Sequence, residues 1–159
     1  LPSSETHPRW NKGLFGVNHS DHPTIAYGEP VTPEKVYNFF SSYALPRPVI
    51  KRAYFDKLYP DDVMDIEKIA ILHVDCDLYS STQKVFELVK DKLVQGSIIL
   101  FDDWYHFKAH PNKGERRAFE EFLTQNRHIE CEEFLRYGTF CKAFVVIRIT
   151  DKGGQKKLR

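Results

Sequence analysis

The sequence predicts an α/β domain whose sheet is mostly parallel and ends in an antiparallel strand. Three observations predict it. Two aliphatic runs, residues 66–75 and 97–101, have the nearly unbroken apolar character of strands covered on both faces. One amphipathic helical stretch separates them, and a β-α-β order implies parallel strands with a right-handed crossover. Residues 129–135 and 139–149 then read as two strands joined by a hairpin-like link at Arg136, Tyr137 and Gly138. With 159 residues, 42% hydrophobic and 14% aromatic, the chain can fill one domain with one core, which excludes wholesale disorder and a coiled-coil rod.

In chain order, residues 1–32 hold four of the nine prolines, three of the eight glycines and three of the seven histidines, and show no sustained period. They read as an irregular arm. Thr32, Pro33 and Glu34 form a helix start, because a Thr oxygen caps free amides and Pro loses no bond at the first helical position. The helix is expected over 33–43, with Val36, Phe39, Phe40 and Tyr43 on one face and Pro46 and Pro48 preventing its continuation. Residues 48–52 read as a short strand. After the first aliphatic run, Ser80, Ser81 and Thr82 offer caps for a helix with Val85, Leu88, Val89 and Leu93 as its stripe, and Gly96 supplies its terminator. A further helix is expected over 114–125 with Ala118, Phe119, Phe122 and Leu123 buried. Residues 150–159 read as a basic, disordered tail.

Charge and cysteines exclude several function classes. Lys plus Arg is 23 and Asp plus Glu is 22, so the net charge of +1 gives no electrostatic case for nucleic acid or an anionic membrane. The aromatic-interleaved basic pattern of a nucleic-acid reader is also missing. No apolar run approaches the roughly 18 to 20 residues of a bilayer span, and no leader opens the chain, so a cytoplasmic protein is expected. Cys76, Cys131 and Cys141 are an odd number without a C-x-x-C pair, which argues for reduced thiols. The chain opens on Leu1 rather than Met, as a fragment or processed chain would. A homo-oligomer stays open.

The chemistry lies in the acids. Ligands of open α/β sheets sit outside the carboxyl ends of the strands. There Asp75 and Asp77 follow the first aliphatic run and Asp102 and Asp103 the second. On neighbouring strands about 4.8 Å apart, the four carboxylates can approach one point. They repel one another unless a cation or protons compensate, and Mg²⁺, which takes oxygen ligands, is the natural compensator. The same acids also fit the plainer role of strand stops and helix caps. His73, inside its strand, reads as a hydrogen-bonded core residue. His106 and His110 follow the Asp pair, where a base or substrate contact is open. Trp104, Tyr105 and Phe107 fit a pocket wall or a core equally.

Five blocks in order carry a resemblance. They are G-E-P-V-T-P-E-K-V from Gly28, V-I-K-R-A-Y-F-D-K-L-Y-P from Val49, I-A-I-L-H-V-D-C-D-L-Y-S-S-T from Ile69, K-L-V-Q-G-S-I-I-L-F-D-D-W from Lys92 and G-E-R-R-A-F-E-E-F from Gly114. Over residues 28–149 the chain resembles the macrocin O-methyltransferase family, S-adenosylmethionine-dependent enzymes that tailor sugars of natural products. The resemblance implies a Rossmann-like class I methyltransferase sheet, here lacking its amino-terminal strands, with residues 1–149 forming a partial methyltransferase domain. It implies a Mg²⁺ site at Asp75, Asp102 and Asp103. Asp77, two residues past the first of these, takes the position expected of a general base, and the loop histidine His106 is the second catalytic candidate. It places Ala53, Tyr54 and Asp75 against S-adenosylmethionine, and a small hydroxylated acceptor, a sugar or glycoside, at the metal. The chain also departs from the family. Its glycines form no G-x-G turn for the cofactor, Ala53 stands where the family has Gly, and residues 108–113 look like an insertion. A binding domain without catalysis and a metal-assisted hydrolase are the competing readings.

Overall fold

The computed structural model describes residues 30–150, and the chain divides between Arg52 and Ala53 into two compact units. Most of the irregular arm and the basic tail from residue 151 lie outside the described residues. In the first unit, helix α1 (Pro33–Ser42) begins as its sequence dictates. Thr32 Oγ1 accepts from the Lys35 amide at 3.4 Å, and Pro33 opens the helix. Phe39 packs against Tyr43 with ring centroids 4.9 Å apart, a pair one turn apart on the helix. Residues 48–52 are not a strand. Pro48 has no amide hydrogen to pair, and Val49, on which the expectation leaned, is 88% exposed.

The second unit is a four-stranded sheet with two principal helices. Its strands are β1 (Ile69–Val74), β2 (Leu93–Phe101), β3 (Ile129–Tyr137) and β4 (Cys141–Ile149), in the spatial order β1-β2-β4-β3. Helix α2 (Tyr79–Val89) joins β1 to β2, and helix α3 (Gly114–Gln125) lies between β2 and β3. β1 runs parallel to β2, while β4 is antiparallel to both β2 and β3. The sheet of the described residues is thus mostly antiparallel, which corrects the mostly parallel expectation. The expected antiparallel ending is present, but β1 is an edge, so only one parallel pairing forms. Nor is β1 covered on both faces: Ile71 is 63% exposed.

Local details differ where side chains found tertiary partners. Leu78, not a Ser or Thr, occupies the cap of α2. Thr82 is fully buried inside the helix and turns its hydroxyl back to the Leu78 carbonyl at 3.0 Å. Leu93 starts β2 instead of ending the helical stripe, and the buried centre of α2 is Phe86. Gly96 does not end a helix. It sits within β2 at φ +90, where the register slips from Ile69↔Leu93 to Ile71↔Ile98. Ser97 repairs the broken ladder, donating to the Ile69 carbonyl at 2.6 Å and accepting from the Val94 amide at 2.8 Å. The turn between the last strands falls at residues 138–140, two residues later than the expected link.

The core is aromatic. Phe86 stacks on Phe122 at 4.4 Å, linking α2 to α3, while Phe101 of β2 lies 5.0 Å from both Phe119 and Trp104. Trp104 is 5% exposed, so it belongs to this core and not to a pocket wall. Burying each such ring contributes roughly 1.5 to 3 kcal/mol, and each pair adds about 0.5 to 1.5. The cluster holds the carboxyl ends of β1 and β2 side by side: Val74 pairs with Phe101, and the Asp102 amide extends the ladder to the Val74 carbonyl at 3.0 Å.

Candidate functional site

That pairing brings the two acidic loops together. One carboxylate oxygen from each of Asp75, Asp102 and Asp103 lies within 4.8 Å of the others. A second group under the same limit is made by Asp77, Asp103 and His106, so Asp103 belongs to both. The sequence-derived metal residues and both catalytic candidates therefore fall at one edge of the sheet. The donors of the first group are all carboxylate oxygens, the ligand type a hard divalent cation such as Mg²⁺ takes, and this donor set fits that ion.

The electrostatics are those of crowded like charges. Asp103, 6% exposed, is pushed far above the usual carboxylate range by burial first, then by a hydrogen bond from its protonated form to Asp77 and by repulsion from Asp77, Glu115 and Asp102. Partial burial, then repulsion from Asp102 and Asp77, raises Asp75 as well. His106 Nδ1 lies 2.6 Å from Asp103 Oδ1 and 3.8 Å from Asp77 Oδ1. The nearer contact is out of line for a hydrogen bond, so this buried nitrogen has no hydrogen-bond partner. Its ring rests on Phe140 with centroids 4.8 Å apart.

The backbone is bent to make this arrangement. Asp77 has φ +54, a left-handed conformation that Asp tolerates better than most residues. Phe107, Lys108 and Ala109 are also left-handed, at φ 55, 59 and 57, in the tight turn that follows His106. Such residues cost roughly 1 to 2 kcal/mol each, and such strain persists where the surrounding structure over-determines it. Gly114, which starts α3 at φ +57, is required on two counts: a Cβ there would stand 2.9 Å from the Phe107 ring and 3.1 Å from the Asp77 carbonyl oxygen.

Other candidates fall elsewhere. His73 is exposed, on the same open face of β1 as Ile71, and is not a core residue. His110 is exposed and accepts from the Asn112 amide at 3.1 Å within its own loop. Ala53 and Tyr54 lie in the exposed stretch before a short 3-10 turn (Phe55–Lys57), with Tyr54 84% exposed.

Two residues escaped the sequence reading. Glu115 is fully buried. Burial pushes it up to about 7 against the opposing pull of hydrogen bonds from the Cys76 and Asp103 amides. Cys141, from β4, donates its thiol to Asp102 Oδ1 at 3.4 Å; burial first, then this bond, pushes it up to about 11. An acid in the first turn of a helix is ordinarily a dipole partner, and a Cys after a hairpin carries no signal, so neither was legible without the tertiary structure.

No curated protein matches this chain. Among solved structures, the O-methyltransferase NovP aligns with a TM-score of 0.60 at 22% identity, over 74% of this chain and 46% of its own. The apo structure of CalS11, a TDP-rhamnose 3'-O-methyltransferase of calicheamicin biosynthesis, aligns with a TM-score of 0.50 at 23% identity, over 72% and 47%. At such identities these likenesses establish the fold, and this chain spans about half the length of the structures it matches. The family profile described as Macrocin-O-methyltransferase (TylF) matches residues 16–133, the greater part of the sequence including both acidic loops. The chain therefore belongs to the macrocin O-methyltransferase family.

Proposed function

We propose that the protein acts in Mg²⁺-dependent methyl transfer from S-adenosylmethionine to a hydroxyl of a small acceptor, a sugar or glycoside, in a cytoplasmic setting. The observation that carries the reading is the convergence of Asp75, Asp102 and Asp103 within 4.8 Å in a member of an O-methyltransferase family. These three side chains would hold the cation. When bound, the cation supplies positive charge that favours ionisation of a nearby hydroxyl. Asp77 accepts the acceptor's proton at its carboxylate, and the left-handed backbone at this residue aims that carboxylate towards Asp103 and His106. His106, its ring against Phe140, holds a nitrogen 2.6 Å from Asp103 Oδ1 and 3.8 Å from Asp77 Oδ1, and so helps to orient both carboxylates. Ala53 and exposed Tyr54, with Asp75, are the proposed contacts of the methyl donor. The three cysteines are unpaired, in keeping with a reducing compartment.

The test is transfer of labelled methyl from S-adenosylmethionine to a panel of sugars and glycosides, with Mg²⁺ or with chelator. Transfer is expected only with Mg²⁺, and Asp75→Ala and Asp102→Ala should each abolish it while the protein stays folded. Transfer that survives both substitutions rules out the cation site.

A further inference from the structure

Glu115 lies beside the acids but is sealed from solvent, with none of its surface exposed. Its Oε1 accepts from the Cys76 amide at 3.2 Å and its Oε2 from the Asp103 amide at 3.0 Å. Cys76 stands between Asp75 and Asp77, and Asp103 follows Asp102. One planar carboxylate thus grips the loop after β1 with one oxygen and the loop after β2 with the other. The two loops belong to parallel strands, and the ladder between them reaches only as far as the Asp102 amide. Beyond that point Glu115 takes over their spacing. Only a carboxylate offers two acceptors and no donor here: Gln would turn an NH₂ group towards one of the two amides, and Asp is one methylene short.

We infer that Glu115 is a positioning residue that fixes the distance between the two acidic loops and thereby sets the affinity of Asp75, Asp102 and Asp103 for a divalent cation. The inference rests on the cation reading given under the proposed function. Partners that orient metal ligands in this way typically account for a 10- to 100-fold range in affinity. A residue that merely filled the core would change stability without changing that affinity in the folded protein.

The test measures Mn²⁺ binding by electron paramagnetic resonance, together with amide hydrogen exchange, in the wild type, Glu115→Gln and Asp102→Asn. Glu115→Gln should fold, exchange faster at Cys76 and Asp103, and bind Mn²⁺ about 10- to 100-fold more weakly. An unchanged Mn²⁺ affinity in folded Glu115→Gln, with Asp102→Asn weakened, overturns this inference alone. A wild type that binds no Mn²⁺, or Asp102→Asn binding as tightly as wild type, overturns the cation reading and the positioning role with it. If Glu115→Gln fails to fold, Glu115→Asp decides: one methylene short of both amides, it should bind Mn²⁺ more weakly, and a folded Glu115→Asp that binds as tightly as wild type overturns the inference.

Discussion

Replacing Asp102 with Asn removes one negative charge from the acidic edge while keeping the shape of the side chain. The oxygens of Asp75 and Asp102 lie within 4.8 Å, a separation at which two unit charges repel by about 0.9 kcal/mol in a water-like dielectric and about 3.5 kcal/mol in a partly buried one. Asp75 is exposed and Asp102 half-buried, so the lower half of that range applies, roughly 1 to 2 kcal/mol. Asp103 adds little to the repulsion at neutral pH because its burial favours the protonated form. The amide oxygen of Asn can still accept from the Cys141 thiol, so that contact is retained. Without divalent cation, Asp102→Asn should therefore be more stable than wild type by about 1 to 2 kcal/mol. With Mg²⁺ at 100 times its dissociation constant the wild type gains about 2.7 kcal/mol and the variant far less, so the order of stability reverses. Urea unfolding at matched ionic strength, with and without Mg²⁺, reads this directly. A variant less stable than wild type without Mg²⁺, or one that gains as much from Mg²⁺, would refute the argument.

Asp77→Asn should leave Mg²⁺ affinity within about twofold but lower methyl transfer by roughly 10² to 10⁴, the usual contribution of a general base, as measured by kcat at saturating cation. Gly114→Ala should cost about 1 to 3 kcal/mol in urea unfolding, because the left-handed backbone and the approach of Asp77 O and Phe107 both penalise a Cβ. Burial pushes the Cys131 thiol up to about 11 from 9.0, which depresses the thiolate at pH 8. Its alkylation at pH 8 should run about 100-fold slower than that of an ordinary thiol and rise about tenfold per pH unit up to pH 11; a rate flat with pH would show that access, not ionisation, is limiting.

The helices were the most legible part of the sequence, since their signals are local. Thr32 and Pro33 start α1, and α3 spans the residues its apolar period marks out. The sheet was less so. A run such as I-A-I-L-H-V states that it is apolar but not how many neighbours it will have, and β1 proved to be an edge with Ile71 and His73 exposed. Gly96 misled because a glycine after a helix has the same signature as a glycine in a bulge, and the choice was made by Ser97, whose hydroxyl replaces the lost ladder bonds. The acids were legible because they follow the last apolar residue of neighbouring strands. His106 was a catalytic candidate from its place after the Asp pair, but the left-handed turn that follows it leaves no mark on the sequence, since Phe107, Lys108 and Ala109 all disfavour it.

The energetics of the acidic edge differ from those of the paired acids elsewhere in the second unit. Glu121 is held below the usual range by hydrogen bonds from Tyr79 and Arg117, Glu133 by Lys142 and Arg136, and Glu130 is paired with Arg148. Each of these carboxylates has a cation supplied by the fold. At the carboxyl ends of β1 and β2, Asp75, Asp103 and Glu115 are all shifted the other way, and the ion pairs of the site run only to His106 among the described residues. Left-handed backbone at Asp77 and at Phe107, Lys108 and Ala109 adds to the cost in the same place. A fold that gives Glu121, Glu130 and Glu133 basic partners, yet among the described residues gathers Asp75, Asp77, Asp102 and Asp103 beside His106 alone, is consistent with a site that admits a cationic ligand.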